Sequence, residues 1–266
     1  MMLNLRKLFR APASAPAPAV PVGQRVYAIG DVHGCRAQFE ALIAAIDADD
    51  AARQAAETVV ILLGDLVDRG PDSAGVLALA RAWQARRKVR ILTGNHEEMF
   101  LESFENPDVL REFLRHGGRE TVLSFGIDPE AYTRADLTET RALMRQHVPQ
   151  DALDFIATFE DRVEIGDYLF VHAGVRPGVA LDQQRLSDLR WIRGLFLDHP
   201  GSFGPVIVHG HTIFEQAEVR HNRIGIDTGA YATGRLTALG LDGTRRWLIE
   251  AHDNNGTVTT AQRSIA

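Results

Sequence analysis

One pattern recurs along the chain and restricts its fold more than any other feature. Short, β-branched apolar runs stop abruptly at a glycine or at a side chain able to hold a metal. Residues 26–29 run into Gly30 and Asp31, residues 58–63 into Gly64 and Asp65, and residues 89–92 into Thr93, Gly94, Asn95 and His96. Later, residues 168–171 run into His172, residues 206–208 into His209, Gly210 and His211, and residues 224–226 into Asp227, Thr228 and Gly229. Such runs read as strands buried on both faces. Residues 37–46 and 74–83 carry apolar side chains at helical spacing. Alternating strands and helices imply βαβ units and a parallel sheet. Ligands of such a sheet bind beyond the carboxyl ends of its strands, where all of these polar motifs fall. Residues 97–159 are mostly helical in pattern, broken at Asn106-Pro107, Gly117-Gly118 and 126–129. That stretch is expected to be a helical insertion beside the site. Residues 235–250 alternate like antiparallel strands.

Composition narrows the setting. With 266 residues and 45% hydrophobic content, the chain can bury a large core without staples. A net charge of −6 argues against a broad basic face for nucleic acid. Cys35 is the single cysteine, so an internal disulfide and a thiolate zinc cluster are both excluded. A reducing, cytoplasmic location fits, and Cys35 reads as a packing residue. No apolar run is long enough to span a membrane. The expected organisation is a disordered tail with an Ala/Pro linker over residues 1–22, one domain over 23–252, and a flexible tail over 253–266. Leu3, Leu5, Leu8 and Phe9 lie beside Arg6, Lys7 and Arg10. That short basic turn would give at best a weak membrane-surface contact, and Arg10 and the prolines interrupt it too soon for a signal peptide.

The polar ends form a ligand inventory: Asp31, His33, Asp65, Asn95, His96, His172 and His211. Carboxylates, imidazoles and an amide oxygen suit Mn, Fe or Zn rather than soft metals. A carboxylate can bridge two cations, and such a pair can bind a phosphoryl group and activate the attacking oxygen. Each piece alone is weak; an isolated Gly-Asp is only a turn signal. Their order, each at a strand end, carries the argument.

The blocks Gly30-Asp31-Val32-His33-Gly34, Gly64-Asp65-Leu66-Val67-Asp68-Arg69-Gly70, Gly94-Asn95-His96-Glu97 and His172-Ala173-Gly174 resemble the signatures of PPP-type serine/threonine protein phosphatases. These belong to the calcineurin-like metallophosphoesterases. His209-Gly210-His211-Thr212 and Ile226-Asp227-Thr228-Gly229 look most like the bacterial and phage lambda members. The resemblance implies an α/β fold, a four-layer α/β/β/α sandwich with the helical insertion beside the active site. It implies two divalent ions, Mn²⁺ first and Fe or Zn as options. Asp31 and His33 would hold one, Asp65 would bridge, and Asn95, His172 and His211 would complete the other. His209 would support or pack. Arg69 and Arg193, with Asn95, would bind the substrate phosphate. His96 would protonate the leaving group, with Asp68 orienting it. The expected reaction is hydrolysis of phosphoserine and phosphothreonine monoesters in a phosphoprotein or phosphopeptide. A metal-bridging hydroxide would attack directly, without a covalent enzyme intermediate.

Two other activities stay open: symmetrical dinucleoside tetraphosphate hydrolysis and broad-specificity phosphomonoester hydrolysis. The tetraphosphatases resemble the chain less at Asp68 and Glu97, where they tend to carry Ala and Asp. His116, His147, His199, His221 and His252 read as surface or structural. Trp191 reads as core or support, and Asp227 as a structural hydrogen-bonding residue. Gly117-Gly118-Arg119 resembles a segment that approaches the site in the bacterial and phage members, although loop geometry explains its glycines equally well.

Overall fold

The computed structural model describes residues 16–265. The apolar runs form strands where the pattern places them. β1 (Gln24–Ile29), α1 (Arg36–Ala52), β2 (Glu57–Leu62), α2 (Ser73–Gln84) and β3 (Val89–Ile91) make two βαβ units. Val26 pairs with Val59, and Ile61 with Arg90, in parallel register. The insertion follows as α3 (Asn95–Ser103), α4 (Pro107–Phe113), α5 (Arg119–Ser124), α6 (Pro129–Arg134), α7 (Leu137–His147) and α8 (Gln150–Ile156). The expected breaks are present. Pro107 opens α4 behind the Asn106 cap, and Pro129 opens α6 behind the Asp128 cap, as suits a ring with fixed φ and no N–H to lose. At Gly117-Gly118 the chain makes a π-helical turn, Leu114–Gly118, with Gly117 at φ 105°.

A second sheet follows: β4 (Arg162–Ile165), β5 (Tyr168–Val171), then, after α9 (Leu186–Trp191) and α10 (Gly194–Leu197), β6 (Val206–His209), β7 (Glu218–Val219) and β8 (Arg223–Gly225). After α11 (Ala230–Thr233) the chain returns to the first sheet as β9 (Arg235–Asp242), β10 (Arg245–Asn254) and β11 (Thr257–Ile265). The sheet orders are β11-β10-β9-β1-β2-β3 and β4-β5-β6-β8-β7. The first sheet is therefore mixed, because β9 lies antiparallel against β1.

Three apolar layers separate four layers of structure. Phe39, Leu42, Val60, Leu62 and Trp83 pack α1 and α2 on the first sheet. Val26, Ala28, Val59, Ile61, Phe170, Val208 and Ile224 fill the space between the sheets. Leu169, Val171, Ile207, Leu189 and Phe196 pack α9 and α10 on the outer face of the second. This is the α/β/β/α sandwich that the resemblance implies.

Two boundaries differ from expectation. The polar composition of residues 253–266 predicts a flexible tail, yet β10 and β11 form a nine-residue ladder from Asn254–Thr257 to Arg246–Ile265. Asn255 and Gly256 turn the chain at φ 55° and 89°, the left-handed pair that a tight hairpin requires. The linker is not free throughout either. Val20 is buried and its N–H donates to the Gly243 carbonyl, while the Ala19 N–H donates to Asp167 Oδ2. The basic turn read as a weak membrane contact lies outside the described residues. No helix among them is long and apolar enough to cross a membrane.

At the base of the first sheet, buried Arg25 donates to Asp50 Oδ1 at 2.7 Å and to Asp242 Oδ2 at 3.1 Å. Burial alone would raise the Asp50 pKa, but hydrogen bonds from Thr58, Arg25 and Arg87 hold it below its ordinary 3.8. A lowered folded-state pKa gives stability that is fully present above the unfolded value and lost as pH falls through the folded one. Urea unfolding should thus be insensitive to pH above about 4 through this residue and weaken below it. Asp50→Asn should lower stability at neutral pH and flatten that acid limb.

Candidate active site

The strand ends deliver their polar residues to one place. Asp65 Oδ2 lies at the centre, 3.6 Å from His33 Nε2, 3.4 Å from His172 Nε2 and 3.9 Å from His96 Nε2. Donor atoms of His33, Asp65 and His96 lie within 4.8 Å of one another, as do those of Asp65, His172 and His211. Asp65 belongs to both groups, the position a bridging carboxylate would take. Asn95 Oδ1 lies 3.0 Å from His172 Nε2. Asp31 falls outside both groups; its two oxygens accept the His211 backbone N–H at 3.2 and 3.0 Å. All of these side chains are buried.

The backbone is bent hard to bring them there. Six described non-glycine residues have positive φ, and five are His33, Asp65, Asp68, Arg69 and His211, between 45° and 74°. Such conformations persist only where the surroundings hold them. Glu97 supplies much of that hold. Its carboxylate accepts the backbone N–H groups of Asp65, Leu66, Val67 and Gly94 at 2.7–3.3 Å. Burial pushes its pKa up to about 7. Every one of these contacts is nonetheless accepted from a backbone N–H, a role met in full by the ionised carboxylate.

Ring orientation is fixed from behind. Nδ1 of His33 bonds the Val67 carbonyl at 2.8 Å, and Nδ1 of His172 bonds the Leu63 carbonyl at 2.7 Å. Each ring thus donates from Nδ1 and turns Nε2 inward, the support that metal-binding imidazoles commonly have. Burial and repulsion from Asp227 raise the Asp31 pKa, and burial raises that of Asp227 to about 6. For His172, burial would lower the pKa, but Asp65 and Asp31 raise it to about 10. Clustered carboxylates and inward imidazoles of this kind are what divalent cations with O and N preferences require. The donor set fits the two ions the sequence implies.

Beside the cluster, His96 Nδ1 lies 2.6 Å from Asp68 Oδ2. The other oxygen of Asp68 accepts the Thr121 hydroxyl at 2.6 Å, and the Asp68 N–H donates to Ser73 and Thr121. Burial lowers the His96 pKa, but Asp65 and Asp68 raise it further than that. Arg69 donates to His33 Nε2 at 2.6 Å and to His96 Nε2 at 2.8 Å. On the other side, Arg193 Nε donates to His211 Nε2 at 3.0 Å. Both guanidiniums therefore face the cluster.

Other residues find different places. His209 packs on Phe196, 5.0 Å between ring centroids, with its Nδ1 on the Gly210 carbonyl. Asp227 accepts the Gly229 N–H. Trp191 is not core: it is 42% exposed, and its Nε1 donates to Glu98. The Gly117 carbonyl accepts the Arg69 N–H at 3.0 Å, so the insertion does touch the site. Sequence reading missed Thr121, which lies 53 residues from the Asp68 it supports. It also missed Tyr231, whose ring lies under the Arg69 guanidinium at 4.9 Å.

A four-layer sandwich with a buried His/Asp donor set at its strand ends, flanked by two arginines, defines a metal-dependent phosphohydrolase. The family model described as calcineurin-like phosphoesterase matches residues 24–248, and the chain belongs to that family. Serine/threonine-protein phosphatase 1 of Salmonella typhimurium is 27% identical over 220 residues, covering 80% of this chain and 90% of the relative. The symmetrical bis(5'-nucleosyl)-tetraphosphatase of Chromohalobacter salexigens is 29% identical over 264 residues, covering 81% and 94%. The cold-active protein tyrosine phosphatase of a psychrophilic Shewanella species shares the fold, with a TM-score of 0.53 at 18% identity over 92% of this chain and 82% of that one.

Two glycines test the metal assignment. A Cβ at Gly94 would overlap Asp65 Oδ1, and one at Gly210 would overlap Asp31 Oδ1. Gly210→Ala or Gly94→Ala should weaken Mn²⁺ binding by roughly 10- to 100-fold, the scale seen when the support of a metal ligand is disturbed. Calorimetric titration with the metal checks this, with circular dichroism to confirm that the fold persists.

Proposed function

We propose that this chain hydrolyses phosphoserine and phosphothreonine monoesters in proteins, with Mn²⁺ as its working metal and the cytoplasm as its location. The observation that carries the reading is the buried Asp68–His96 pair at 2.6 Å, set beside Arg69 and the Asp65 cluster. An alkoxide leaving group needs a proton near neutral pH, and a positioned acid supplies it. Asp68 holds Nδ1 of His96, so Nε2 is the nitrogen that faces the substrate. Thr121 occupies the second oxygen of Asp68 and keeps the carboxylate from turning away.

His33, Asp65, Asn95, His172 and His211, with Asp31 close behind, would hold two divalent cations. When bound, such a pair polarises phosphoryl oxygens and activates water for in-line attack. Arg69 and Arg193 would grip the phosphate, a task for which a planar fork is better shaped than an ammonium. Arg69 now bonds two imidazole nitrogens, so phosphate binding would draw it from His33 and His96.

Symmetrical dinucleoside tetraphosphate hydrolysis is the second reading, supported by relatives of similar identity. Metal-reconstituted turnover of phosphothreonine peptides against diadenosine tetraphosphate separates the two. Preference for the dinucleotide would reject the phosphoprotein reading. On alkyl phosphates, His96→Asn should cost about 10²–10⁴-fold in turnover, and on p-nitrophenyl phosphate far less, because that leaving group needs little protonation. Equal losses on both would remove the acid role.

A further inference from the structure

A pocket of about 720 Å³ opens beside Arg69. Its walls come from the start of α1, from the loop after Arg69, from α11, and from the β10–β11 turn. Tyr231 stands at its inner edge, with its ring 5.4 Å from that of His33 and 40% of its surface exposed. The pocket therefore adjoins the place where a phosphate would sit, and whatever is joined to that phosphate would pass it.

The lining is polar, and its charges are unevenly spent. Arg36 is paired with Asp72 at 3.1 Å, and Arg69 is turned towards the imidazoles. Glu40 and Asp253 form no ion pair among the described residues; Asp253 accepts only the Gly256 N–H. Gln38 is the more telling side chain. It lines the pocket, is only 7% exposed, and its amide makes no hydrogen bond among the described residues. The residue as a whole is buried, while its unpartnered amide stays open to the pocket. It lines the same pocket as the two unpaired carboxylates.

We propose that this pocket is a substrate subsite for a positively charged side chain, an arginine or lysine flanking the phosphorylated residue. The proposal rests on the phosphoprotein reading above and deepens it. Two carboxylates and an amide oxygen match a guanidinium or ammonium, which donates and never accepts. The same groups would repel a polyphosphate chain laid across them. The subsite would thus favour basic phosphopeptides and disfavour dinucleoside polyphosphates on this side of the site.

The test uses the full chain loaded with Mn²⁺. In one set of phosphothreonine peptides, arginine, alanine or glutamate is walked through the flanking positions. At one position or more, arginine should raise kcat/KM roughly 2- to 5-fold over alanine, as exposed charge pairs permit, and glutamate should lower it. The gain should shrink as salt rises, because such charges are screened. Glu40→Gln with Asp253→Asn should erase the arginine preference and leave p-nitrophenyl phosphate turnover unchanged. Gln38→Leu should reduce the preference as well. Equal turnover of all peptides, or a preference that survives in the double variant, would overturn the subsite and leave the phosphatase reading standing. Turnover of diadenosine tetraphosphate with none of any phosphopeptide would overturn both.

Discussion

The carboxylate of Glu97 is the contact on which the site's geometry depends. It gathers four backbone N–H groups from two separate strand ends, three at Asp65–Val67 and one at Gly94. Those strand ends carry Asp65 on one side and Asn95 with His96 on the other. Asp65 and the neighbouring Asp68 and Arg69 all lie in the left-handed region, which costs on the order of 1–3 kcal/mol per residue unless the surroundings enforce it. Charge-assisted hydrogen bonds are the stronger kind, and here they fasten the strained loop to the first turn of α3. Glu97 touches none of the imidazoles it serves, yet it fixes the backbone from which the site's central carboxylate projects.

The insertion is more than a lid over the core. It reaches back through Thr121 and Gly117 to Asp68 and Arg69. Phe100, Phe104, Phe113 and Phe125 form an aromatic stack that joins its helices. Substitution in that stack would therefore be felt at the site through α5, without any contact with substrate. On the far side, Glu98 binds both Arg190 and Trp191, and so links α3 to the loop that carries Arg193. α3 thus stands between Arg69 and Arg193.

Much of this was readable in the amino-acid order because the donors lie in contiguous blocks at strand ends. A buried strand announces itself by its apolar run, and the chemistry begins where the run stops. Thr121, Tyr231 and Gln38 carry no such mark. Each lies on a helix or helical turn whose pattern reports packing, and each meets the site only through tertiary folding. Asn255-Gly256 is different: that pair is a strong hairpin signal, but the strand after it carries only Val258 and Ala261 as apolar residues before Ile265 and has no alternating face to mark it. Trp191 differs in part: it is exposed rather than core, yet its indole donates to Glu98 and its ring lies 6.5 Å from that of His211, the supporting place its sequence context also allows.

The strap formed by Pro18, Ala19 and Val20 runs across the base of the sandwich. It bonds the β9–β10 turn at Gly243 and the second sheet at Asp167 and Tyr168. β1 starts a few residues later and climbs about 20 Å before Asp31. The strap is therefore held at the floor of the molecule, with the mouth of the site at the opposite pole. A tether, a fusion partner or a solid support attached at the strap would leave the mouth facing outward.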